Sequence, residues 1–353
     1  MISRLYSNSR NINFDSLRTI GLICIILAHT SPPDILFQIR NFDVPLMVIV
    51  SGAVFGISAS NKQLSYGNYV KKRIFRLVAP TWFFLFFFFT LIYLFTLISG
   101  RMYPFSQKTI VSSFALISGI GYVWVIRVFI LVALIAPFLS ELNEKIDRDI
   151  EYFIILLTIY FFYELIYFFY RGTEIYVLDL IIKYFLFYLL PYGCLFGFGL
   201  RLPNLDNKSI FLLTIISLVV FMVETILNYS THFVPTQQYK YPPRVYYLSY
   251  SLFALLSLYL LLNNTAPKIF NNSIHSFVSS SSIWIYLWHI LFIYIWDFSI
   301  FFRPIWTNSF IIKFTIVLFL AIAATYLHKT LAKIFIQKIN SKNKEIFSAV
   351  FLK

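Results

Sequence analysis

Nearly the whole chain is a succession of apolar stretches, each about 17–25 residues long, broken by short polar or charged segments. A helix rises 1.5 Å per residue, so about twenty apolar residues cross the ~30 Å hydrocarbon core of a bilayer. Inside lipid every backbone amide and carbonyl must find a partner within the protein, which makes each such stretch a helix. We place ten spans, at about 15–31, 42–59, 80–99, 121–139, 152–170, 176–200, 209–228, 246–263, 281–301 and 309–328. The expected fold is all-α, a polytopic transmembrane helical bundle forming one domain over 1–353, with a polar tail at 1–14 and a basic tail at 329–353. The 353 residues are 59% hydrophobic and only 12% charged, which leaves no stretch for a separate soluble domain.

The formal charge of +14 would suit nucleic acid in a soluble protein. Here it has another cause. An even number of spans puts both termini on one side, and most of the 29 Lys and Arg fall on that side: Arg4, Arg10, the run Lys71–Arg76, Lys145, Arg148, Lys208 and the C-terminal lysines. Arg40, Arg101, Lys108, Arg171, Lys240, Arg244 and Arg303 fall on the opposite loops. That bias places both termini in the cytoplasm and excludes a nucleic-acid partner. The first apolar segment lacks a small-residue cleavage site and reads as a retained helix. Cys24 and Cys194 both fall in spans and form no CxxC signature.

The chemistry starts in the first span, DSLRTIGLICIILAHT, where Arg18 and His29 stand eleven residues apart. At ~100° per residue they return to within roughly 20° of one face, about 16 Å apart along the axis. They cannot touch each other, so each must meet something else on a common stripe. Ionisable groups inside a bilayer usually face a bundle interior or cavity. A neutral imidazole at His29 can take the proton of a hydroxyl that attacks an acyl carbon. Arg18 needs an anion, either Asp15 three residues before it or a ligand phosphate. Taken alone, Arg18 would simply snorkel to the interface and His29 would bond to a neighbouring helix.

Lys72, Arg73 and Arg76 share one side of a helix leading into the third span. They suit either anchoring at a lipid surface or a phosphate clamp for a nucleotide-like acyl carrier. Trp124 and Arg127, and again Tyr286 and His289, stand at i, i+3 and face the same way. Each pair suits a polar cavity wall or an interhelical contact. Asp179 and Lys183 read as a local i, i+4 ion pair, whereas Glu224 shows no sequence-local partner. No HxxxH, Cys/His cluster, GxSxG or P-loop is present, so we expect no metal and no resident cofactor.

Five segments in order resemble the integral-membrane type-3 acyltransferases, a family that includes bacterial O-acetyltransferases of surface polysaccharides. They are FDSLRTIGLICIILAH with its R-x10-H pattern, FDVPLMVIVSG, KKRIFRLVAP, YVWVIRVFILVALIAPFL and SSSIWIYLWHI. The resemblance implies an acyl-CoA donor, usually acetyl-CoA, and a hydroxyl acceptor on a saccharide or lipid-linked glycan at a bacterial cytoplasmic membrane. It implies that His29 is catalytic with Arg18, to which the spacing adds Asp15 as a supporting site residue. It also implies that Lys72, Arg73 and Arg76 bind the donor's phosphates, and that Trp124, Arg127, Tyr286 and His289 line the tunnel or acceptor site. The competing reading is a transporter or flippase of a glycolipid or anionic substrate. That reading calls for inverted repeats and discontinuous helices, neither of which is visible in the sequence. Membrane lipids are the other expected partners, and oligomeric state is not legible.

Overall fold

The computed structural model describes residues 11–59, 65–229, 233–264, 270, 272–298, 309–338 and 341–352. Arg4, Arg10, Lys62, Lys268, Arg303 and Lys353 lie outside the described residues. The described regular structure is helical. In chain order the helices are α1 (Ile12–Ala28), α2 (Asp34–Ile39), α3 (Asp43–Ala59), α4 (Tyr66–Ser99), α5 (Gln107–Phe114), α6 (Trp124–Lys145), α7 (Asp149–Phe169) and α8 (Tyr176–Ile181). They continue with α9 (Phe187–Arg201), α10 (Asn207–Asn228), α11 (Val245–Asn264), α12 (Ser273–Ser280), α13 (Ser282–Phe298), α14 (Phe310–Lys338) and α15 (Ser341–Phe351).

Among the described residues eight helices are long and apolar enough to cross a membrane, or nine if the bent α12–α13 pair counts as one span. The expected ten include α1, whose 17 residues extend roughly 26 Å, just short of a full crossing. The Asn11 side chain caps α1 by accepting from the backbone amides of Asn13 and Phe14. Ser31, at φ 57°, and the prolines that follow it prevent α1 from continuing, so the helix ends at His29.

Three boundaries differ from the sequence expectation. Pro80 sits inside the 34-residue α4 rather than opening a span. A proline removes one backbone hydrogen bond, and the buried packing of Pro80, Thr81 and Phe84 carries the helix through. The basic run Lys71–Arg76 is therefore on the same rod as the phenylalanine-rich span. Second, α14 extends to Lys338, so Lys329 is not in a tail: it is buried, and its ammonium donates to Ser281 Oγ at 2.9 Å. Third, α12 and α13 meet at 78°. Together with a π-helical turn at Ile182–Leu186 between α8 and α9, this makes two spans irregular. The expectation of no discontinuous helix is thus corrected. The run Ser279–Ser282 hides the break, because serine tolerates helix and turn alike.

At the centre α3 packs most extensively on α9 and also meets α1, α6 and α11. Gly52 of α3 and Gly199 of α9 permit this approach. A Cβ on Gly52 would strike the Phe196 carbonyl, and one on Gly199 the Ile49 carbonyl. The outer members are α7, α10 and α14, where only 17% of the most apolar stretch is buried. Their exposed Phe161, Leu212, Ile226 and Phe319 suit lipid contact. Charges within spans are largely partnered: Glu164 with Arg244 at 2.6 Å, Asp179 with Lys183 at 2.8 Å, and Asp297 with Lys313 at 2.6 Å. Glu224 has a local partner after all, accepting from the Asn228 amide at 3.2 Å one turn on.

Candidate active site

Both ends of α1 meet the same broken helix. At the far end His29, the C-cap of α1, faces His289 of α13, with Nδ1 to Nε2 at 2.9 Å. The rings are nearly parallel, at 13°. His289 is fully buried, and its Nδ1 also bonds to the Tyr286 carbonyl. A carbonyl only accepts, so His289 Nδ1 carries the proton and its Nε2 is an acceptor. His29 Nδ1 must then donate, which leaves the lone pair on His29 Nε2. The tautomer of His29 is thereby set by His289, and the free nitrogen is on the less buried residue of the two. Tyr122 packs edge-on against His29 with centroids 4.7 Å apart, and its carbonyl accepts from the Tyr286 hydroxyl at 2.5 Å.

At the near end the Arg18 guanidinium lies 3.3 Å from Asp15 Oδ1 and 3.5 Å from Ser279 Oγ. Ser279 donates to the same Asp15 oxygen at 2.7 Å. The i, i+3 partner read from the sequence is therefore present, and α12 adds a hydroxyl that the serine run did not announce. A cavity of about 330 Å³ opens here. Its lining includes Arg18, Leu22 and Ile25 from one stripe of α1, Arg73 and Arg76 from α4, and Tyr286 from α13. That stripe continues one turn later to His29. Arg73 also donates to Ser51 of α3 at 3.3 Å. Lys72 is exposed and does not line the cavity, since it sits one position away from Arg73 around the helix. The cavity thus presents three guanidinium groups on its wall, and its α1 stripe stops one turn before His29.

Trp124 and Arg127 do face the same way, but not into this cavity. Trp124 packs on Tyr188 and Tyr241, with centroids 6.1 and 5.0 Å away. Arg127, buried, lies over the rings of Tyr184 and Tyr188. It donates to the carbonyls of Leu116 and Ile117 at 3.2 and 2.6 Å. These carbonyls belong to the turn that leads to Tyr122, and Leu116 holds a positive φ of 58° there. Arg127 therefore fixes the loop that sets Tyr122 on His29.

Sequence reasoning missed one cluster completely. Arg40 and Lys240, expected on exposed loops, are 4% and 3% exposed. Both bind Asp43 at the start of α3, at 2.8 and 3.0 Å, and Lys240 also donates to Asn41 at 3.2 Å. Asn41 in turn donates to Thr236 at 3.0 Å. The Arg40–Asp43 spacing of three was a readable signal, whereas the bond to Lys240 spans 197 residues and left none. Among the described residues no group of three or more His, Cys, Asp or Glu converges as a metal site would require.

The helical bundle, with its eight or nine candidate spans among the described residues, defines a multi-pass membrane protein. A family model described as an acyltransferase domain matches residues 11–329, so the chain belongs to the acyltransferase 3 family and is a membrane-bound acyltransferase. No curated protein sequence and no solved structure matches it at a significant level.

Proposed function

We propose that the chain transfers an acetyl group from acetyl-CoA to a hydroxyl of a cell-surface or lipid-linked saccharide at a bacterial cytoplasmic membrane. One observation carries this reading. A single stripe of α1 runs from Arg18 through the cavity wall to the turn before His29. With both termini in the cytoplasm, the cavity mouth opens where acetyl-CoA is found. Arg18, Arg73 and Arg76 would hold its phosphates by charge-assisted hydrogen bonds, with Asp15 and Ser279 orienting Arg18. Lys72 would add to the attraction at longer range from the exposed side of α4. The pantetheine arm would follow the stripe and bring the thioester to His29.

The acceptor hydroxyl attacks the thioester carbon while His29 Nε2 takes its proton. The carbon–sulfur bond then breaks, and the imidazolium returns the proton to the departing thiolate, giving the ester and free CoA. His289 Nε2 accepts from His29 Nδ1 throughout, so the positive charge that forms on His29 has a partner.

The test uses the purified protein in nanodiscs with acetyl-CoA and a membrane glycan extract. Released thiol and the acetyl mass on the glycan should appear together, and His29→Ala should abolish both while the protein still inserts and folds. A fully active His29→Ala variant overturns the mechanism. Glycan translocation in sealed proteoliposomes with no thiol release would point to transport instead.

A further inference from the structure

A second cavity, of about 590 Å³, opens near the His29 end of the bundle. Its position follows from the loop that carries Tyr241 and Pro242 of its wall, because the preceding residue, Lys240, bonds to Asp43 at the start of α3. Its wall carries Arg171, Lys183 and Arg244 together with Tyr184, Tyr188 and Tyr241. The volume suits a small-molecule or sugar site rather than a packing defect.

The charges here do not balance. Lys183 is paired with Asp179 and Arg244 with Glu164. Among the described residues Arg171 donates only to the carbonyls of Phe168 and Tyr170, at 2.6 and 3.3 Å. Behind the tyrosine wall Arg127, buried, likewise meets carbonyls and ring faces. Among the described residues neither arginine is within ion-pair distance of a carboxylate. A cation buried within a span without a carboxylate, as Arg127 is, calls for an anion, and Arg171, exposed on the loop after α7, adds a further positive charge to the cavity wall. The π-helical turn Ile182–Leu186 carries both Lys183 and Tyr184, and such insertions recur at functional sites. The tyrosines supply electron-rich faces for sugar C–H groups and hydroxyls for sugar oxygens. The cavity also connects with the chemistry. Trp124 touches Tyr188 and Tyr241 on its wall, and Tyr122, two residues earlier, packs on His29.

We propose that this cavity binds a carboxylate-bearing sugar unit of the acceptor glycan, with Arg171 and Lys183 at its acid group and the tyrosines against its ring. The inference rests on the reading of the chain as a saccharide acyltransferase. The acid group would fix the register of the glycan, so that a hydroxyl of the same or a neighbouring sugar reaches His29 past Trp124.

The test is calorimetric binding to the full-length protein in zwitterionic nanodiscs. The probes are a glucuronate-containing oligosaccharide and its carboxyl-reduced neutral counterpart, with acetyl-CoA titrated in parallel. The acidic probe should bind at least about tenfold more tightly than the neutral one, and Arg171→Gln should remove most of that difference. Acetyl-CoA affinity should be unchanged in the variant. Equal binding of the two sugars, binding of neither, or a preference that survives the Arg171→Gln/Lys183→Gln double variant overturns the proposal. Loss of acidic-sugar binding when phosphatidylglycerol is added to the nanodiscs reassigns the cavity to a lipid headgroup and also overturns it. Failure of the wild-type protein to bind acetyl-CoA would instead sink the acyltransferase mechanism on which the proposal stands.

Discussion

The two ends of α1 treat positive charge in opposite ways. At the Arg18 end, Arg18, Arg73 and Arg76 line an open cavity, where Arg18 bonds to Asp15 and Ser279 and Arg73 to Ser51. At the His29 end, Arg40 and Lys240 are sealed from solvent and grip Asp43 from two sides. Cations that line a cavity remain available to a ligand. Cations buried around a carboxylate are committed to the fold, and here they tie the 233–244 loop to the start of α3. Burial and partner therefore separate binding charge from structural charge, a distinction that residue type alone does not make.

The largest effect expected from this contrast is on stability. Asp43→Asn keeps the shape but leaves Arg40 and Lys240 buried without their anion. Breaking such a pair costs about 3–5 kcal/mol. The detergent-solubilised protein should therefore melt much earlier, while Arg73→Gln should melt like the wild type. A normal melting temperature for Asp43→Asn would show that water reaches the cluster and would erase the contrast between the ends.

Next in size is the histidine pair. His289→Phe removes the acceptor that holds the His29 proton on Nδ1. Transfer should slow by about 10²-fold in kcat with little change in the KM for acyl-CoA. His289→Gln, which can offer an oxygen near the lost nitrogen, should recover part of the rate. If Phe and Gln behave alike, His289 is packing and the tautomer argument fails. Arg73→Gln should act on the other parameter. It should raise the KM for acyl-CoA by about tenfold, since a charge-assisted hydrogen bond contributes about 1.5–3 kcal/mol, and leave kcat nearly intact.

The pattern of legibility follows the range of the interactions. Local periodicity pointed to the apolar spans within single stretches, and to the stripe joining Arg18 to His29, Asp15 as one partner for Arg18 and the Asp179–Lys183 pair within eleven residues or fewer. The bond from His29 to His289 crosses 260 residues, and that from Lys240 to Asp43 crosses 197. Sequence offered both histidines as candidates but could not place one against the other. Of the buried ionic cluster it offered only the Arg40–Asp43 spacing and no sign of burial, since loop lysines and arginines usually stay in water. The break between α12 and α13 was hidden for a different reason: it falls in a run of serines that fits either state.

The smallest expected effect bears on that same limit. Lys72, Arg73 and Arg76 look equivalent in KKRIFR, but one residue around a helix is a turn of about 100°. Arg73 and Arg76 line the cavity and Lys72 does not. An exposed cation that makes no direct contact acts through a screened field, with a Debye length of about 8 Å at physiological salt. Lys72→Gln should therefore raise the KM for acyl-CoA by no more than about twofold at that salt, and the change should disappear at high ionic strength. The tenfold effect of Arg73→Gln should persist there, because a direct contact in a partly closed cavity is screened far less. Measuring KM for both variants across a salt series separates the two cases. A large, salt-resistant effect at Lys72 would mean that the donor wraps around α4 instead of entering along α1.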